Sequence, residues 1–188
     1  MVTATETGPA RRAVFLDRDG VIVKPDFRDG RSFAPTTLDA FEIYEMAQPA
    51  LQSLKDAGYL LVVITNQPDV GSGKIAPQTL QAMHDILRKR LPVDDIFVCE
   101  HTREDHCSCR KPKPGMLLAA ARKWRIDLTR SYMVGDRSSD VEAGNAAGCR
   151  SIFIDYGYDE PETGVAEFRV ADIGEAADII VKASRGDT

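Results

Sequence analysis

Four groups of polar residues between Asp17 and Asp140 carry side chains able to move a phosphoryl group. The first is Asp17 with Asp19, which end the apolar run Val14-Phe15-Leu16 and precede Gly20. Two carboxylates this close resist ionising together unless a cation or a shared proton relieves them. Taken alone they read equally well as a solvated Asp-Gly turn after a strand. The second group is Thr65-Asn66-Gln67, the third Arg110-Lys111-Pro112, and the fourth Asp136-Arg137 with Asp140. Lys111 alone has the reading of a surface lysine, and Asp136 that of a turn former. Together the four supply what phosphoryl transfer requires. Asp17 and Asp136 can hold Mg²⁺ through oxygen ligands. Asp17 can attack phosphorus and form an aspartyl-phosphate. The Thr65 hydroxyl, the Asn66 amide and the Lys111 ammonium can neutralise the equatorial oxygens. Asp19 can protonate the leaving oxygen and then activate water. Gln67, Arg110 and Arg137 adjoin these residues and are the candidate contacts to the rest of a substrate.

A fifth cluster has different chemistry. Cys99, His101, Cys107 and Cys109 form a C-x-H-x5-C-x-C array, the ligand set of a closed, structural Cys₃His zinc site. A reduced, metal-free loop is the alternative, and His106 is a second candidate for the histidine ligand. Cys149, beside Gly148, has the setting of a small buried core residue. His84 is expected at a surface or boundary position.

These residues need elements that bring them to one edge. Alternate residues of a strand share a face, so Asp17 and Asp19 are expected on one side of the first strand, Ala13 to Asp17, with Arg18 on the other. The unbroken run Leu60-Leu61-Val62-Val63-Ile64 is a strand covered on both faces. Further strands are expected over 96–99, 132–134 and 151–155, with a weak one near Phe168. Helices are expected over 46–57, 77–90, 115–124, from Ser138 or Ser139 as cap to Gly148, and over 173–183. Residues 24–39 read as an aperiodic loop. The alternation of strand and helix predicts an α/β, Rossmann-like fold: a mostly parallel sheet with helices on both faces. In such a sheet the carboxyl ends of the strands gather at one ligand-binding edge.

The chain has 188 residues and a net charge of −5, which suits one globular domain and disfavours nucleic-acid or anionic-membrane surfaces. A disordered tail over 1–11, one domain over 12–188 and a zinc loop over 99–110 are expected. No apolar stretch resembles a signal peptide or membrane span, so a cytoplasmic protein is expected. Nothing calls for a second chain, so a monomer acting on a small phosphorylated molecule is expected.

The motifs Asp17-x-Asp19-Gly20-Val21, Thr65-Asn66-Gln67, Arg110-Lys111-Pro112 and Gly135-Asp136-Arg137-x-x-Asp140 resemble, in order and placement, those of haloacid dehalogenase superfamily phosphatases. The resemblance covers about Ala13 to Asp155. It implies Mg²⁺ and the two-step mechanism above, with the Asp19 backbone carbonyl as a further Mg²⁺ ligand and Asp140 positioning Lys111. Only 48 positions separate Asp17 from Thr65, and 46 separate Thr65 from Lys111, which leaves no room for the cap domain many relatives carry. A zinc loop running into Arg-Lys-Pro is similar to the subgroup that contains heptose 1,7-bisphosphate 7-phosphatases and histidinol-phosphate phosphatases. The runs Lys113 to Leu118 and Ser131 to Asp136 favour the heptose type. The x5 spacing, with Asp26, Asp29 and Asp69, keeps the histidinol type open. A non-catalytic, zinc-stabilised sugar-phosphate binder is a third possibility, which the pairing of Asp17 with Asp19 opposes. The divergent stretches 24–39 and 68–74 are where substrate choice is expected to lie.

Overall fold

The computed structural model describes residues 9–28, 31–158 and 164–186. Strand β1 (Ala13–Leu16) is followed by a hairpin of β2 (Asp26–Arg28) and β3 (Arg31–Phe33), then by helix α1 (Ala47–Asp56) and β4 (Leu60–Asn66). A one-turn helix α2 (Pro68–Gly71) and helix α3 (Pro77–Arg90) lead to β5 (Asp95–Cys99). Then come α4 (Gly115–Trp124), β6 (Tyr132–Gly135), α5 (Ser138–Ala147), β7 (Arg150–Ile154), β8 (Phe168–Val170) and α6 (Ile173–Gly186). Six strands make one sheet in the order β5-β4-β1-β6-β7-β8, every pairing parallel.

The apolar runs follow from this topology. Val14, Leu16, Leu61 and Val63 face a core that includes Leu51 and Leu54 of α1, Met83 and Leu87 of α3, and Ile180 of α6. Ala13, Phe15, Leu60, Val62 and Ile64 face the opposite core, with Met116 and Leu117 of α4 and Ala143 of α5. Strands covered on both sides cannot alternate apolar with polar, so they read as continuous hydrophobic runs. Cys149 joins the second core, as expected.

From β1 the chain first builds outward through β4 and β5, then returns to place β6 on the other side of β1. The crevice between β1 and β6 is therefore the point where strand order reverses. Ligands bind at such crevices, beyond the carboxyl ends of the strands. Asp17 follows β1 and Asp136 follows β6, so the topology itself brings the first and fourth motifs together.

Three expectations need correction. Residues 24–39 contain the β2–β3 hairpin, whose three-residue strands are too short to show a period. Helix α5 is not capped by a serine: the Asp140 carboxylate accepts a hydrogen bond from the Arg137 backbone N–H at 3.1 Å, closing the first turn. Of the tail expected over 1–11, residues 1–8 lie outside the described residues, while Arg11 is bonded to the main chain at Arg125 and Asp127. Asp29 also lies outside the described residues. No helix among the described residues is long and apolar enough to cross a membrane.

Candidate active site

Asp17 leaves β1 and accepts the Arg18 N–H on Oδ1 at 2.7 Å, so its carboxylate is turned back over the strand end. The next turn is made by Gly20 at φ +86°. A Cβ there would lie 2.0 Å from Asp136 Oδ2, so only glycine lets β1 and β6 deliver their aspartates side by side. Oxygens of Asp17, Asp136 and Asp140 lie within 4.8 Å of one another. Lys111 points into the middle of this cluster. Its Nζ forms ion pairs with Asp140 Oδ1 at 2.7 Å and Asp17 Oδ1 at 2.8 Å and donates a hydrogen bond to the Ile64 carbonyl at 2.9 Å.

The electrostatics leave this cluster short of positive charge. Burial alone would strip the proton from Lys111, but Asp140 and Asp17 overcome it and hold its pKa above that of a free lysine. Burial pushes the Asp140 carboxyl up to about 6, against the pull of Lys111. Asp136 is raised well above the ordinary carboxylate range by burial and by the charges of Asp17 and Asp140. Both of its oxygens are buried and have no hydrogen-bond partner among the described residues. Three buried carboxylates facing one ammonium, with two orphaned oxygens, are the donor set a hard divalent cation requires. The residues fit Mg²⁺.

Asp19 lines the same cleft as Asp17, with its carboxylate outside the acidic cluster. Arg18 Nε donates to both of its oxygens at 3.0 and 3.1 Å, and Gln67 Nε2 donates to Oδ2 at 2.8 Å. Arg18 thus turns back onto the residue it was expected to diverge from. Gln67 is corrected as well: it is 1% exposed and its amide is spent on Asp19 and on Thr65 Oγ1, at 2.8 Å. It positions those two groups and does not face the substrate. Asn66 lines the cleft while gripping Lys111 from both sides, with Nδ2 donating to its carbonyl and Oδ1 accepting its N–H. Arg137 bonds the hairpin through the Ser32 carbonyl and hydroxyl. Arg110 donates from Nη1 to the His101 carbonyl at 3.1 Å and lines the cleft.

The cysteine loop forms one wall. Cys99, His101, Cys107 and Cys109 converge with sulfur–sulfur separations of 3.3–3.7 Å and His101 Nδ1 at 3.3–3.6 Å from Cys109 and Cys99. A disulfide needs sulfurs ~2.0 Å apart, so these are thiols. Zinc bonded to sulfur at ~2.3 Å sets tetrahedral ligands ~3.8 Å apart, close to what is observed. The Arg110 N–H also donates to Cys107 Sγ at 3.4 Å, as a thiolate ligand would need. The residues fit a closed zinc site, and His106 is not among the converging ligands. Protein purified without chelator should therefore carry about one zinc per chain. Cys107→Ser should lower both zinc content and melting temperature, because zinc binding and loop ordering are coupled. Elemental analysis that finds no zinc would discard this site.

Two residues at the site were not anticipated. His84 lies on the buried face of α3, 4% exposed, with Nε2 3.4 Å from Arg18 Nη1. Its position four residues after Leu80 and three before Leu87 was the available signal. Tyr158 has its hydroxyl beside Asp136 and Ser32, and nothing in its Gly/Pro/Glu-rich neighbourhood marked it.

The cleft above these groups has a volume of about 640 Å³. Its floor holds Asp17, Asp19, Asn66 and Lys111, and its rim carries Lys74, Arg103, Arg110 and Lys113.

A family profile described as HAD-hydrolase-like matches residues 108–178. D-glycero-beta-D-manno-heptose-1,7-bisphosphate 7-phosphatase of Rhodopseudomonas palustris is 37% identical over 156 residues, 77% of this chain and 83% of that protein. The histidine biosynthesis bifunctional protein of Legionella pneumophila is 30% identical over 149 residues, 77% of this chain but 41% of that protein. The crystal structure of D,D-heptose 1,7-bisphosphate phosphatase from B. bronchiseptica, complexed with magnesium and phosphate, has a TM-score of 0.76 at 29% identity, covering 92% of this chain and 99% of that one. With the strand order, the four motifs and the acidic cluster in place, the chain belongs to the haloacid dehalogenase-like hydrolases and is a phosphatase of phosphoric monoesters.

Proposed function

We propose that this chain hydrolyses a D-glycero-D-manno-heptose 1,7-bisphosphate, releasing the 7-phosphate through an aspartyl-phosphate on Asp17. The observation that carries the reading is the cleft itself: a phosphoryl-transfer set on its floor and four cations around its rim. A second phosphate beyond the one being transferred would meet those cations. The net charge of −5 makes their concentration at this one edge the more telling.

Asp17, Asp136 and the Asp19 carbonyl would hold Mg²⁺, which when bound neutralises charge on the phosphate. Asp17 attacks phosphorus with its free oxygen. Lys111 and Asn66 bind the equatorial oxygens, and the Thr65 hydroxyl, which accepts from Gln67, keeps its hydrogen to donate to them. Asp19 gives its proton to the departing alkoxide, then takes one from the water that cleaves the acyl-phosphate. Asp140 holds Lys111 in place while also accepting the Arg137 N–H, and itself moves no proton. Cys99, His101, Cys107 and Cys109 would hold zinc, which would brace the wall that carries Arg110.

Histidinol phosphate is the second reading, supported by the Legionella relative and by Asp69 at the rim. Its cationic amine would find Asp69 already paired with Lys74 at 3.2 Å and cations elsewhere, so the heptose bisphosphate is preferred. The unpaired thiols suit a reducing, cytoplasmic setting. One domain from about residue 12 to the end, without a separate cap, completes the proposal.

Phosphate release from both anomers of the heptose bisphosphate, histidinol phosphate and nucleoside monophosphates tests the substrate. A higher kcat/KM for histidinol phosphate overturns the assignment. Arg110→Ala supplies a sharper check. Arg grips phosphate by two parallel hydrogen bonds, so its loss should lower kcat/KM for the bisphosphate by roughly 10–100-fold. On p-nitrophenyl phosphate, which offers Arg110 nothing to hold, the loss should be far smaller. Equal losses would mean that Arg110 serves the transferring phosphate or the fold.

A further inference from the structure

Arg18 has no part in the mechanism above, yet it is the largest fully buried side chain described. Such burial is costly for a group that cannot shed its charge. Its surroundings show what it is held for. The alternation along β1 sends Arg18 to the face covered by α3, away from Asp17. There the guanidinium lies over the Phe41 ring, 5.5 Å from its centroid, with Nη1 3.4 Å from His84 Nε2. On the remaining edge Nε donates to both oxygens of the Asp19 carboxylate at 3.0 and 3.1 Å, and Nη2 stands 3.0 Å from Oδ2 as an ion pair. Burial and the Arg18 charge push the His84 pKa down to about 4, so the imidazole is neutral and Nε2 can accept from Arg18. Gln67 closes the clamp from the other side, on Asp19 Oδ2.

We propose that Arg18, seated by His84 and Phe41, is a positioning residue that fixes the Asp19 carboxyl in the orientation needed for proton transfer with the leaving oxygen. The inference rests on the acid/base reading of Asp19. A carboxyl that must act as acid and then as base needs one orientation in both steps, because proton transfer requires heavy atoms within ~3 Å. A side chain emerging from a turn has no such restraint of its own. The Nε donor shared by both oxygens, with the Nη2 ion pair, supplies it, and the neutral His84 keeps the guanidinium from rotating away without adding a second positive charge. The alternative is an ion pair that merely stabilises the turn after β1.

A double-mutant cycle separates the two. Arg18→Met, Asp19→Asn and the double variant are compared by kcat/KM on the heptose bisphosphate and on p-nitrophenyl phosphate. An alkoxide leaves poorly without a proton, whereas nitrophenolate leaves unaided. Arg18→Met should lower kcat/KM on the sugar phosphate by roughly 10–100-fold and on the aryl phosphate by no more than about threefold, as for a displaced general acid. In the Asp19→Asn background the same change should cost less than about threefold on either substrate, since the group it positions no longer carries protons. Equal losses in both backgrounds, or on both substrates, overturn the proposal and leave Asp19 its role. Asp19→Asn without effect on the sugar phosphate removes the acid/base reading, and the Arg18 role with it. If Arg18→Met does not fold, His84→Leu asks the same question from behind the guanidinium. A loss of roughly 3–10-fold confined to the sugar phosphate, restored by His84→Gln with its amide oxygen as acceptor, supports the proposal. A loss shared by both substrates, or not restored by Gln, overturns it.

Discussion

Asp17→Asn should lower kcat by at least ~10³-fold while leaving the protein as stable as before. The loss has two sources, since the amide is neither a nucleophile nor a good magnesium ligand. The retained stability follows from what Asp17 touches. Its Oδ1 accepts from the Arg18 N–H, a hydrogen bond an amide oxygen can keep, and Lys111, its ion-pair partner, retains Asp140 as counter-charge. Removing its charge also relieves Asp136, whose raised pKa is due in part to Asp17. The melting temperature measured without magnesium should therefore hold or rise. Acid quenching during turnover should trap a phosphorylated protein from wild type and none from the variant. Turnover within tenfold of wild type would remove Asp17 as the nucleophile. A large fall in melting temperature would mean that the cluster is held together by more than Lys111.

The part of this site that was legible in the sequence is the part encoded by local pattern. Two-sided burial makes β1 and β4 uninterrupted apolar runs, and their sudden ends at Asp17 and Thr65 mark the strand termini. Parallel order then carries those termini to one edge without further information. The zinc loop was equally readable, because four soft ligands within eleven positions have few other uses. What stayed hidden depends on contacts between distant segments. Gln67 reads as a third polar residue in a row, yet the bend after β4 turns it beneath Asp19. Arg18 reads as a surface charge between two acids until α3 and the Phe41 loop close over it. His84 did carry a signal, lying on the apolar stripe of α3, but a polar residue on such a stripe says nothing of its partner. The hairpin at β2 and β3 has strands too short for alternation, and it is held by Arg137 and Ser32, which are 105 positions apart.

Lys111→Met should be the most damaging single substitution at the site, in stability as well as activity. Among the described residues the ammonium is the only side-chain cation in an ion pair with Asp17 and Asp140, both largely or fully buried. Methionine matches the volume of the stem but leaves these carboxylates without their counter-ion and the Ile64 carbonyl without its Nζ donor. Breaking a buried pair in this way costs about 3–5 kcal/mol, because the surviving charge stays desolvated and unpaired. Replacing both partners together would cost far less, so Lys111→Met with Asp140→Leu should recover part of the lost stability. It should recover no activity, since the phosphate would still lack its cation. Loss of a charge-bearing donor to a developing oxyanion costs ~10²–10³ in kcat. Magnesium gives a separate check on the charge count. Wild type already balances one of three carboxylates with Lys111, whereas the variant balances none. Saturating Mg²⁺ should therefore raise the melting temperature of Lys111→Met by more than it raises that of wild type. An equal magnesium shift in the two proteins, together with wild-type stability in the variant, would show that Lys111 is not the counter-ion of this cluster.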